Sequence, residues 1–407
     1  MKASEKKSND MPSGKQCIIP QEELLMLGKK KRVLNIGIPN ETSKCENRVC
    51  LSPQAVDILV SEGHNIYIEK GAGLAANYSD VEYSDRGAVV VDTKKEVFRS
   101  DVIIKVAPFD ISDVELLRGE QTVFSALHLY SQTPEVIRGL SRKKITAVAI
   151  ENYKDRDDCY AFVRSMGEIA GYSSILIASE YLSNARGGKG IMLGGITGIS
   201  PTEVVILGAG TAGEYAAKTA LALGAQVKIF DASLKKLRRI QESLGQKIFT
   251  SIMHTPVLKK SLLSADVLVG AIRNDDSHRC VVVSEDMVKT MKPGSFIIDL
   301  SIDTGGCIET SKSMTIKDAA FRKHKVIHFC VPNIASRVPR TATIAMSNVY
   351  VPMLRSIGVG GGVTSSLKVD MGLRRGVYMY NGILTNQAVA DKFGMMSKDI
   401  NLLMAVL

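Results

Sequence analysis

Residues 203–231 begin Glu-Val-Val-Ile-Leu-Gly-Ala-Gly-Thr-Ala-Gly and end Val-Lys-Ile-Phe-Asp, which places three glycines between an apolar strand and a helix of small residues. That context separates a dinucleotide fingerprint from a chance glycine cluster. Gly208 permits a tight turn, Gly210 lets the backbone approach a pyrophosphate, and Gly213 lets the helix lie against the strand. Ala209, Thr211 and Ala212 complete the loop, and the helix N-terminus adds unpaired N–H groups and partial positive charge. Asp231 ends the next strand, 226–230, where a carboxylate accepts hydrogen bonds from ribose hydroxyls and repels a 2′-phosphate. NAD is therefore expected rather than NADP. Lys235, Lys236, Arg238 and Arg239 follow at helical spacing and read as a solvated face.

Outward from this unit the chain reads as α/β on both sides. Strands at 34–38, 65–68, 89–91, 102–106, 122–126 and 146–150 alternate with helices at 53–62, 79–86 and 94–98. Further strands are expected at 267–270, 295–299 and 326–330. Alternation of this kind builds parallel sheets covered on both faces. The fold class is thus two Rossmann-like doubly wound domains, with a helix at 165–182 and a glycine-rich segment at 187–198 leading into the fingerprint. A long helix at 341–357 and a short apolar tail follow, and the tail is too short to be a domain of its own. The expected division is an N-terminal appendage at 1–32, a first domain from 33–161 and 342–407, and a dinucleotide domain at 162–341.

Composition narrows the class. The 407 residues suit two ordinary cores, and 45% hydrophobic with 23% charged residues is the balance of a globular protein. No apolar run is long enough to span a bilayer, and the lysine-rich start lacks a signal-peptide core, so a soluble cytoplasmic protein is expected. Seven cysteines, without paired spacing, point to reduced thiols. The net charge of +10 is spread along the chain with few aromatics, which favours small acidic substrates over nucleic acid. His324 and His328 do not form a helical metal pair, and no metal-ligand cluster is visible.

In open parallel sheets ligands bind beyond the carboxyl ends of the strands. Arg48 follows the first strand and offers a fork suited to a carboxylate. Lys105, inside an apolar strand, must meet an anion or polarise a carbonyl. His128 ends another apolar strand and can exchange protons near neutral pH. Asp303 precedes two glycines just past the strand 295–299, while Asp299, flanked by apolar residues, reads as structural.

These segments together resemble the alanine dehydrogenases, a family that shares its fold with the NAD-binding subunit of proton-pumping transhydrogenase. They are Ile-Gly-Ile-Pro-Asn-Glu-Thr with Glu-Asn-Arg-Val, Ile-Lys-Val, Leu-His-Leu, Met-Gly-Glu-Ile-Ala-Gly, Gly-Ala-Gly-Thr-Ala-Gly, Met-Lys-Pro-Gly, Ile-Asp-Thr-Gly-Gly-Cys and Cys-Val-Pro-Asn-Ile, collinear from about residue 33 to 350. The resemblance implies NAD-dependent deamination of L-alanine to pyruvate and ammonia by a homo-oligomer, commonly a hexamer. It implies that Arg48 binds the substrate carboxylate, Lys105 the carbonyl or imine, and that His128 and Asp303 are the catalytic pair. NAD contacts would come from the glycine loop, Asp231, Ala271, Ile272 and Asn333. Gly167 and Arg273 depart from the usual pattern near the cofactor. The competing functions are that of a transhydrogenase subunit, which needs no acid or base, and that of an amino-acid dehydrogenase of other specificity.

Overall fold

The computed structural model describes residues 31–43, 46–273 and 280–406. The expected appendage lies almost wholly outside them, as do Cys17 and Cys45. The first sheet is built from β1 (Asn35–Ile38), β2 (Asn65–Glu69), β3 (Val89–Val91), β4 (Val102–Ile104), β5 (Thr122–Ser125) and β6 (Thr146–Ala149). They pair in parallel in the order β6-β5-β4-β1-β2-β3. The second sheet contains β7 (Glu203–Leu207), β8 (Gln226–Phe230), β9 (Phe249–Ser251), β10 (Val267–Gly270), β11 (Phe296–Asp299), β12 (Ala320–Lys323) and β13 (Val326–Phe329). Its order is β12-β13-β11-β10-β7-β8-β9, with only β12 antiparallel. The chain then returns to the first sheet as β14 (Val377–Tyr380), antiparallel beside β6, and β15 (Ile383–Leu384), antiparallel beside β14 at the edge.

Each sheet reverses its winding at one strand. β1 lies between β2 and β4, and β7 between β8 and β10. The loops leaving β1, β4, β7 and β10 therefore border the crevices where ligands of such sheets bind. The central strands read as continuous apolar runs because both faces are covered. Val204, Val205, Ile206 and Leu207 are all fully buried.

Two hairpins escaped the sequence reading. Tyr380-Asn381-Gly382-Ile383 closes β14 onto β15 with positive φ at both Asn381 and Gly382, the geometry that Asn-Gly favours between paired strands. His324 and Lys325 make the corresponding turn between β12 and β13 at φ +52° and +62° with no glycine to signal it.

Long helices join the two units. Ala161–Leu182 packs on the fingerprint helix Thr211–Ala222. The approach is close at Gly171, where a Cβ would fall 2.4 Å from the Ala212 carbonyl oxygen. Pro339–Val359 then lies on the first unit, burying Met346, Tyr350, Leu354 and Ile357 in the same cluster as Ile36 and Ile38 of β1. No helix among the described residues is long and apolar enough to cross a membrane.

Candidate active site

The glycine loop leaves β7 and opens into the helix Thr211–Ala222. Gly208 has φ +103°, and a Cβ there would meet the Ala271 carbonyl oxygen at 2.4 Å. At Gly213 a Cβ would stand 1.9 Å from the Gly208 carbonyl oxygen. Both glycines are thus required by the fold itself. Gly210, at the helix N-cap, has φ −77° and faces open space, with nothing within 4 Å of a Cβ position. That opening, beside unpaired helix N–H groups, is a fitting cradle for a pyrophosphate. Asp231, just past β8, accepts from the Ala209 N–H at 2.8 Å and from the Ser233 N–H at 2.8 Å, which holds its carboxylate against the loop. Ala271 and Ile272 continue from β10, where the Ala271 N–H donates to the Leu207 carbonyl at 2.8 Å. Gly167 faces the same region, its Cβ position 3.3 Å from Thr211. Residues 274–279 lie outside the described residues, and Arg273 just before them stacks over the Tyr160 ring at 5.1 Å.

Across the crevice, the loop after β1 carries Glu46 and Arg48. Both are buried. Arg48 Nε and Nη2 donate to the two Glu46 oxygens at 2.7 and 2.6 Å, and Nη1 lies 3.2 Å from Met166 Sδ. A guanidinium has five donors, so an N–H on each of Nη1 and Nη2 is left for a ligand carboxylate. Burial pushes the Glu46 carboxyl up, but the Arg48 hydrogen bonds and charge outweigh it and hold the group below the usual range.

Asn333 joins the two sides. It adopts a left-handed backbone after β13, its side-chain N–H donates to Glu46 at 2.5 Å, and its backbone N–H donates to Asp303 at 2.8 Å. Ser336 adds to the link by accepting from the Asn47 N–H at 2.7 Å. Asp303 sits in the one-turn helix after β11, open to solvent in the crevice yet walled by protein. That enclosure raises its pKa, although His128, the Asn333 N–H and the Arg48 guanidinium act in the other direction. His128, in the corner after β5, is exposed and close enough to Asp303 to act on its charge. Arg48, His128, Asp303 and Asn333 are therefore brought together from four distant stretches of chain.

Lys105 is placed differently from its neighbours. Its ammonium donates to Asp113 at 2.5 Å and to the Pro108 carbonyl at 3.1 Å, and Lys94 pairs with the other Asp113 oxygen. With two of three donors engaged, at most one remains for a ligand. Asp299 has a structural setting, since its oxygens accept from Ser311 Oγ and the Cys307 and Ser301 N–H groups. His328 is buried on Thr310 and pushed down to about 4 by burial, and no group of three metal-ligating side chains exists among the described residues.

Sequence reasoning missed Glu46, Glu41 and Glu151. Glu41 accepts from the Val106 N–H at 2.5 Å, its second oxygen is buried without a hydrogen-bond partner among the described residues, and burial raises it to about 7. Glu46 stood two residues from Arg48 in Glu-Asn-Arg-Val, but no local pattern there signals their pairing.

Comparison with known proteins gives the family. The family models for the alanine dehydrogenase/PNT N-terminal and C-terminal domains match residues 37–170 and 174–387. An alanine dehydrogenase of Methanococcus maripaludis is 40% identical over 357 residues, covering 87% of this chain and 95% of its own length. The alanine dehydrogenase of Bacillus subtilis is 36% identical over 360 residues, covering 88% and 94%. A solved L-alanine dehydrogenase superposes with a TM-score of 0.82 at 32% identity, over 88% of this chain and 99% of that one. A transhydrogenase from Sinorhizobium meliloti, 23% identical with a TM-score of 0.73 over 87% of this chain and 99% of that one, shares the fold. With both domain models matched in order and such relatives aligned over most of their length, the chain belongs to the alanine dehydrogenase/PNT family.

Proposed function

We propose that the protein oxidises L-alanine with NAD, releasing pyruvate and ammonia, and runs the reverse reductive amination. The observation that carries this is the meeting of Arg48, His128 and Asp303 in one crevice, bridged by Asn333 to the dinucleotide side. A transhydrogenase-like subunit has no use for such a pair of proton-exchanging groups.

A bound NAD would supply the acceptor for the hydride of the substrate Cα. The open space at Gly210, the helix N-terminus and Asp231 are the residues that would hold it. The free donors of Arg48 take the substrate carboxylate and fix its orientation. His128 removes a proton from the substrate ammonium before oxidation, releases it to the solvent its exposed side chain faces, and then takes one from the water that attacks the imine carbon. Asp303, a carboxyl with a raised pKa, is suited to carry the proton that leaves with ammonia. The Asn333 N–H keeps its carboxyl directed into the crevice.

The proposal includes 33–161 with 342–407 as the substrate domain, 162–341 as the cofactor domain, and a cytoplasmic homo-oligomer, hexameric by expectation. Mixing purified protein with L-alanine and NAD should give NADH, and His128→Ala and Asp303→Asn should each lower turnover at least ~100-fold without unfolding. Wild-type turnover in either variant would remove that residue from the mechanism. No NADH from the native protein would reject the function.

A further inference from the structure

The corner that carries His128 is strained. It follows β5, and the one-turn helix Ile150–Asn152 follows β6. Because β5 and β6 are parallel neighbours with Ser125 opposite Ala149, the two exits run side by side. His128 takes φ +41° and ψ +69°, a left-handed conformation that a residue with a Cβ holds only when its surroundings impose it.

Those surroundings are unequal on the two sides of the chain. The carbonyls are held by several groups. His128 O accepts from Ser131 N at 2.8 Å and Ser131 Oγ at 2.9 Å, Leu127 O accepts from Gln132 Nε2 at 2.8 Å, and Leu129 O accepts from Lys392 Nζ at 2.5 Å. The N–H groups converge on one atom. Glu151 Oε1 accepts from Leu127 N at 2.8 Å and from His128 N at 3.1 Å. The other oxygen, Oε2, is buried with no hydrogen-bond partner among the described residues. A buried carboxylate left half satisfied opposes stability, so its presence beside a site residue calls for a functional explanation.

We propose that Glu151 is a positioning residue. By gathering the 127 and 128 N–H groups on one oxygen, it fixes the left-handed corner that aims the His128 imidazole at the reacting atoms. The inference rests on the assignment of His128 made above. It goes beyond that assignment by naming what holds the imidazole in register. A displacement of about 1 Å in a reacting group lowers rates by about 100-fold, so loss of the clamp should appear in turnover rather than in substrate binding.

The test uses the full-length protein carrying Glu151→Ala, Glu151→Gln or Glu151→Asp. Glu151→Ala should lower kcat for NADH formation from L-alanine by roughly 30- to 100-fold, with KM for L-alanine and NAD within about twofold of wild type. Glutamine keeps an oxygen able to accept from both N–H groups, so Glu151→Gln should return kcat to within about fivefold. In the protein without substrate, the amides of 127 and 128 should exchange with deuterium faster in Glu151→Ala than in wild type, and at the wild-type rate in Glu151→Gln. Should the alanine variant fail to fold by circular dichroism, Glu151→Asp replaces it, because its oxygen falls one methylene short and kcat should drop at least ~10-fold. The proposal is overturned by a kcat within threefold of wild type in the shortened variants, by a glutamine variant as impaired as alanine, or by unchanged exchange at 127 and 128. If wild-type protein makes no NADH from L-alanine, the functional assignment fails instead, and the exchange rates still decide whether Glu151 holds the corner.

Discussion

Gly210→Ala should separate the fold from the cofactor site within one loop. Nothing lies within 4 Å of the Cβ position at Gly210, and its φ of −77° is open to any residue. Replacing glycine there removes unfolded-state freedom, which favours the folded state by about 0.4–1 kcal/mol. The added methyl group instead fills the space proposed for the pyrophosphate. Overpacking of that kind opposes binding by about 1–3 kcal/mol, and the middle of the range corresponds to a ~30-fold rise in Kd. At an NAD concentration 100 times the wild-type Kd, the ligand stabilises the wild type by ~2.7 kcal/mol, but the variant by only ~0.9 kcal/mol. Gly208→Ala and Gly213→Ala serve as contrasts, because their Cβ atoms would meet backbone oxygens at 2.4 and 1.9 Å and must disturb the unliganded fold. The assay is denaturant unfolding with and without NAD. A Gly210→Ala protein that is several kcal/mol less stable without NAD, or that gains the full wild-type stabilisation from it, would refute the assignment of this opening to the cofactor.

Two further predictions come from buried charges. Lys105→Met leaves the fully buried Asp113 with Lys94 as its remaining cationic partner, so unfolding free energy should fall, by less than the ~3–5 kcal/mol of a buried charge left wholly unpaired. If Lys105 served chiefly as a substrate ligand, KM for L-alanine would instead rise steeply in a protein of near-native stability. Glu41 has a folded-state pKa of about 7, raised from 4.5 by burial, so the native state keeps a proton that the unfolded chain releases. Its contribution to stability is therefore full below about pH 4.5 and is lost as pH rises through 7, with a slope of at most ~1.4 kcal/mol per pH unit. Glu41→Gln should flatten unfolding free energy between pH 5 and 7, and an unchanged pH dependence would show that Glu41 does not hold that proton.

The glycine unit, the alternation of strands and helices, and the ends of most elements could be read from sequence, because local periodicity and turn chemistry dictate them. Gly208 and Gly213 even announced their packing roles, since only a residue without a side chain fits where backbone meets backbone. Arg48, His128 and Asp303 were recognisable as strand-end polar residues, a position that parallel sheets reserve for ligands. Tertiary structure alone decided which charges they meet. Glu46 pairs with Arg48, and Asn333 reaches Glu46 from 287 residues away. Lys105 turns to Asp113. Glu151 comes to grip the His128 corner through the pairing of β5 with β6. No local pattern encodes such meetings: they follow from sheet order and from the crossing of the chain between two lobes, and a buried charge takes whichever partner the packed chain brings within reach.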